Sequence, residues 1–153
     1  MKSILVGAFL GLSGCVTMIN DVATDASHPL EFVAIKPLRK NSEFKTDAEV
    51  QRQAYPELHG LELNAPPAAV FPKALALAKV RKWEIVDANS TLGRIEATET
   101  SSVFGFKDDM VIQVAEAPHG SRVDMRSASR VGKSDFGKNA KRIQSFLEDL
   151  NRP

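Results

Sequence analysis

The sequence has a single cysteine, Cys15, so no disulfide can form within the chain and a folded domain must be held by packing. It also lacks an excess of either charge. Lysine and arginine number 20 against 19 aspartates and glutamates, which removes the electrostatic basis for seeking nucleic acid or an acidic polymer. The apolar run from Ile4 to Leu12 falls well short of the roughly 20 residues needed to span a bilayer, and polar chain follows it. His28, His59 and His119 stand far apart, with no pair at i and i+4, so metal-ligand spacing is missing. No serine sits in a nucleophile-elbow context. Gly132-Lys133-Ser134 echoes the end of a phosphate-binding loop, but the position that requires the earlier glycine holds Ser127. No repeat or low-complexity tract occurs. These absences leave no recognisable catalytic constellation, no metal and no cofactor, and the expectation is a protein that is not an enzyme.

What is present begins at the N-terminus. Lys2, the apolar run and the small residues before Cys15 form a secretory signal peptide over residues 1–14. Leu12-Ser13-Gly14-Cys15 resembles the lipobox of bacterial lipoproteins. That resemblance implies cleavage after Gly14 and acylation of Cys15 with long chains such as palmitate, so that the protein is held on a membrane by its lipid. Each buried methylene contributes about 0.8 kcal/mol, and two or three chains together anchor almost permanently. Val16 follows the cysteine where an aspartate would signal retention, which implies the outer membrane, facing the periplasm, in a Gram-negative cell.

Residues 15–57 are expected to be the lipidated N-terminus and a tether. No period of 2 or 3.6 persists there, and Arg39 to Ala54 is polar and charged, as in a solvated linker. Phe32, Val33 and Ile35 form a short apolar patch between Pro29 and Pro37, with the character of an edge strand.

The folded domain is expected over 58–153. Leu61 and Leu63 alternate with polar residues as in a short strand. Pro66 and Pro67 open a helix with Val70, Phe71, Ala74, Leu75 and Ala78 on one side, where Pro72 should kink it or delay its start. Strands are expected at Trp83 to Asp87, Arg94 to Thr100, Met110 to Glu116 and Ser121 to Ser129, each with one apolar face. Ser134-Asp135 caps a last helix whose stripe is Phe136, Ala140, Ile143, Leu147 and Leu150, with Lys138, Lys141, Arg142, Glu148 and Asp149 facing solvent. The fold class is α+β: an antiparallel sheet of about five strands with two helices on one face, in the order β-α-β-β-β-β-α of helix-grip or TATA-binding-protein-like sandwiches.

Several motifs in order carry a family resemblance. They are Ala54-Tyr55-Pro56, Ala65-Pro66-Pro67 into Val70-Phe71, Trp83-Glu84-Ile85-Val86, Gly93-Arg94-Ile95-Glu96-Ala97, Phe104-Gly105-Phe106-Lys107-Asp108-Asp109, Ser129-Arg130-Val131-Gly132 and Asn139-Ala140-Lys141-Arg142-Ile143. From about Tyr55 to Leu150 the chain resembles the bacterial DUF1499 family. The resemblance implies the fold and an envelope location, and it brings no activity with it.

Three groups are candidate binding residues. Phe104 and Phe106 join two strands and either fold over the open end of the sandwich, the ordinary reading, or insert into a partner. Arg130 and Lys133, beside a helix N-terminus, are candidates for an anion such as a lipid phosphate. Asp109 is expected to pair with Arg126 or Arg130. The outer sheet face, with Arg94, Glu96, Thr98, Gln113, Arg122, Asp124 and Arg126, is expected to be a solvated, self-paired surface. The leading functional expectation is a non-catalytic envelope lipoprotein that contacts another envelope protein or aids envelope assembly. The alternative is a carrier of a lipid-like ligand between sheet and helix, which requires a cavity between Ile112-Val114 and the Ile143-Leu150 stripe. The third is an enzyme built on Asp109, Arg126 and Arg130, which requires a cleft.

Overall fold

The computed structural model of the chain describes residues 18–40, 42 and 45–153. Gly14 and Cys15, the expected cleavage and lipidation positions, lie outside the described residues. The elements run β1 (Asp21–Ala23), a short 3-10 turn (Lys36–Arg39), α1 (Ala48–Ala54), β2 (Leu61–Leu63), α2 (Pro67–Val80), β3 (Glu84–Asn89), β4 (Arg94–Thr100), β5 (Lys107–Ala117), β6 (Gly120–Ser129) and α3 (Lys138–Asn151). From β2 onward this is the expected α+β order. The six-stranded sheet is antiparallel, in the order β1-β6-β5-β4-β3, and β2 shares the free edge of β6 with β1.

Alternation on the strands sets the two faces. Ile95, Ala97, Met110, Ile112, Val114, Val123 and Met125 point to one side and are buried there against Val70, Phe71, Ala74 and Ala78 of α2 and Ala140, Ile143, Phe146 and Leu150 of α3. Burying each large apolar side chain contributes about 1.5–3 kcal/mol, so this one cluster supplies the packing that the missing disulfide cannot. Trp83 stacks on Phe146 with ring centroids 5.3 Å apart and locks α3 against the entry to β3. α2 runs unbroken through Pro72 and does not start late. The missing Pro72 N–H costs a bond only to the carbonyl of Ala68, which is exposed to water.

Two expectations about coverage are corrected. The segment expected as a solvated tether is packed: Ile19, Val22, Phe32 and Ile35 are buried, so the folded body includes residues well before 58. The edge strand in it is Asp21–Ala23, while the Phe32–Ile35 patch crosses the outer sheet face as a strap. That face is therefore not simply solvated. Phe32 and Ile35 form a second small core with Val111 and Ala128, and Glu96, Thr98 and Arg126 lie buried around it. Arg94 and Arg122 do self-pair on this face, with Glu96 and Asp124 respectively.

Candidate functional site

The charged residues of the interior were candidates for chemistry, and each is occupied. On the outer face the Asp109 carboxylate accepts hydrogen bonds at 2.8 Å from Arg39 and from both Nε and Nη2 of Arg130, and at 2.7 Å from the Thr98 hydroxyl. Bonding to Asp109, set against burial, holds the Arg130 guanidinium above its ordinary pKa. Arg126 does not join this group. Its fork binds Asp21 of β1 at 2.8 and 2.6 Å and donates at 2.7 Å to the Leu30 carbonyl. The Asp109, Arg126, Arg130 cluster expected by the enzyme reading is thus two separate ion pairs, with the Asp109 carboxylate fully buried.

On the inner face Arg142, expected in solvent, is buried and donates at 2.7 Å to Asp108, to Glu99, at 2.6 Å to Asn139 and at 3.0 Å to Ser127. Lys138 adds a second cation 2.9 Å from Asp108. Burial pushes the Asp108 carboxyl up, but bonding to Lys138 and the charge of Arg142 outweigh it and hold it below the usual carboxylate range. These networks fasten α3 and the N-terminal segment to the sheet, with each of their carboxylates paired to a cation.

The unsatisfied feature lies at one end of the sheet. The β4–β5 turn is closed by the Ser101 amide donating to the Phe106 carbonyl at 2.8 Å and by Gly105 in the left-handed region at φ 67°. This tight closure lifts Phe104 and Phe106 off the sandwich. They stack on each other at 5.6 Å and are 74% and 54% exposed, so neither folds over the open end as expected. Beside them, the β6–α3 connection presents Val131 and Phe136, and Phe136 is 90% exposed. Phe136 was expected within the α3 stripe; the helix starts two residues later, and Phe146 takes the buried place.

Asp135 makes that turn. Its carboxylate accepts from the Gly137 and Asn139 amides at 2.9 Å each, and Phe136, between Asp135 and Gly137, takes φ 54°. Phe104, Phe106, Val131 and Phe136 thus line a groove of about 450 Å³, rimmed by Lys107 and Lys138, and with Val103, exposed on the same turn as Phe104, they form an apolar crown. Lys133 is exposed and follows Gly132 of the lining, while Arg130 is engaged by Asp109. The sequence singled out Phe104 and Phe106 but missed Val131 and Phe136. Gly132 and Gly137, each following one of them, were the available signal for a loop instead of a helix. Among the described residues no helix is long and apolar enough to cross a membrane, and no group of histidines, cysteines or carboxylates has the arrangement of a metal site.

The profile of the family described as "Protein of unknown function (DUF1499)" matches residues 13–150. No curated protein matches the chain. Among solved structures, the X-ray crystal structure of protein CV1439 from Chromobacterium violaceum is similar at 15% identity, with 61% of this chain and 94% of that one covered and a TM-score of 0.37.

Proposed function

We propose, from the premise that this chain belongs to the DUF1499 family, that it is a lipid-anchored envelope protein whose domain is non-catalytic and acts by contact through the apolar crown. The lipobox-like Leu12-Ser13-Gly14-Cys15 supports the anchor, and with it a signal peptide over 1–14 and an outer-membrane, periplasm-facing location. The observation that carries the contact reading is the contrast between the crown and everything else. Buried charges are mutually paired, the apolar face of the sheet is buried under α2 and α3, and five large apolar side chains are nonetheless held in water at one end.

The carrier reading is less well supported. Ile112, Ile143 and Leu150, which would line its cavity, are fully buried in one continuous cluster. The enzyme reading has its proposed carboxylate sealed between two arginines. Cys15→Ser tests the anchor: the precursor is expected to stay uncut while the domain folds, and normal processing with membrane retention of the variant contradicts it. Phe104→Ala tests the contact reading. It is expected to change stability by less than about 0.5 kcal/mol and to weaken association with the envelope component, and a large loss of stability contradicts it.

A further inference from the structure

We propose that the crown docks on a lipid bilayer, the same one that holds the acyl chains of Cys15, so that the domain stands on the membrane in a fixed orientation. This rests on the lipid-anchor reading above and names the occupant of the crown. The first support is where the chain enters the fold. β1 is antiparallel to β6, so the chain ahead of Asp21 runs past the end of β6 toward the crown. The Asn20 carbonyl accepts the Ser129 amide, and the Ile19 carbonyl accepts the Asp135 amide, both at 2.8 Å. Asp135 precedes Phe136 directly. Cys15 is four residues before Ile19, and four extended residues reach at most about 14 Å. An acylated Cys15 therefore brings this end of the molecule, and no other, to the membrane surface.

The second support is the side chains found there. Phe136 sits in a backbone region that a bulky residue avoids, and it gains no burial in exchange. A glycine would make the same turn without strain, so the ring is held outward for something other than folding. The third is charge. The carboxylates nearest the crown are engaged, Asp108 by Lys138 and Arg142 and Asp135 by backbone amides. Lys107 at the rim and Lys133, exposed next to Gly132 of the lining, are without a carboxylate partner among the described residues, and flexible cationic side chains there suit lipid phosphates. The far turn at Pro118-His119 lies about 35 Å away along β5 and faces the aqueous side.

The test uses the acylated, full-length protein in vesicles of phosphatidylethanolamine and phosphatidylglycerol. Cys15 is consumed by its thioether, so Val103→Cys or His119→Cys can each be labelled alone with bimane. The expected result is a blue shift and quenching by doxyl lipids at position 103 and neither at 119, with Phe136→Gly lowering the quenching at 103. Equal, water-like emission at both positions from protein that floats with the vesicles and carries the acyl mass overturns crown docking while leaving the anchor standing. A photo-crosslinker at 103 that captures a protein in native envelopes, and no lipid, overturns it as well and makes the crown a protein-binding surface. If the chain carries no acyl mass, the labelling is repeated on a Cys15→Ser background so that 103 alone is marked: a 103 probe that is still quenched sinks the anchor reading and supports the crown, and a chain that does not float overturns both.

Discussion

Phe136 occupies the left-handed region at φ 54°, which costs an L-residue roughly 1–2 kcal/mol, and its ring is 90% exposed. Phe136→Gly removes that strain and adds the entropy cost of glycine in the unfolded chain, for a net gain of about 0.5 kcal/mol, or 1–2 °C in Tm. Thermal unfolding checks this, and a drop in Tm would show the ring is part of the core. The same residue shows where single positions were misread. Spacing alone put Phe136 in the α3 stripe, because positions 136, 140, 143, 147 and 150 satisfy a helical period whether or not the helix has begun. Arg142 was assigned to solvent by the same spacing, yet Asp108 and Glu99 on the sheet capture its guanidinium. That Asp109 pairs with Arg126 or Arg130 was legible, because both arginines lie two residues from Ala128, which stands opposite Asp109; the structure selects Arg130.

Among the elements, the strap over Leu30 to Arg39 departs most from what its sequence announces. Its Val33 and Ile35 amides donate to the Glu96 carboxylate at 2.8 and 2.9 Å, and Phe32 lies beneath the guanidinium groups of Arg39 and Arg126, 4.8 and 4.6 Å from its centroid. Backbone amides gripping a buried carboxylate leave no period in the sequence, so a segment held this way reads as linker. β2 through α3 were legible because period-2 and period-3.6 patterns follow directly from which face is buried. Glu96→Gln keeps one acceptor oxygen and loses the charge. It is expected to destabilise the strap by about 2 kcal/mol. Amide exchange over residues 30–39 should then speed up while β5 stays protected, and uniform exchange across both would show that the strap and sheet unfold together.

At the scale of the whole molecule, the described residues form one packed body in which charge networks join α3 and the segment from β1 to the strap to the sheet, and this sets its response to acid. Asp108 and Glu99 are both held below their ordinary values: burial raises them, and the bonds and charges of Lys138 and Arg142 more than offset it. A carboxyl depressed in the folded state contributes stability that is fully present above its unfolded pKa, about 3.9 for Asp and 4.3 for Glu, and is lost as pH falls through the folded value. Tm is therefore expected to hold from neutrality to about pH 5 and to fall below about pH 4, and Asp108→Asn should flatten that fall. Melts followed by circular dichroism across this range check it, and an unchanged acid limb in the variant would remove Asp108 from the cause.

At the same scale, the crown, the entry of the chain beside it and the lipobox-like start all point toward one membrane. The most direct test is the intact mass of the mature protein taken from its own envelope. A chain beginning at Cys15 and carrying diacylglyceryl and fatty-acyl groups is predicted, and an unmodified N-terminus at any other residue would contradict the lipid anchor from which the orientation follows.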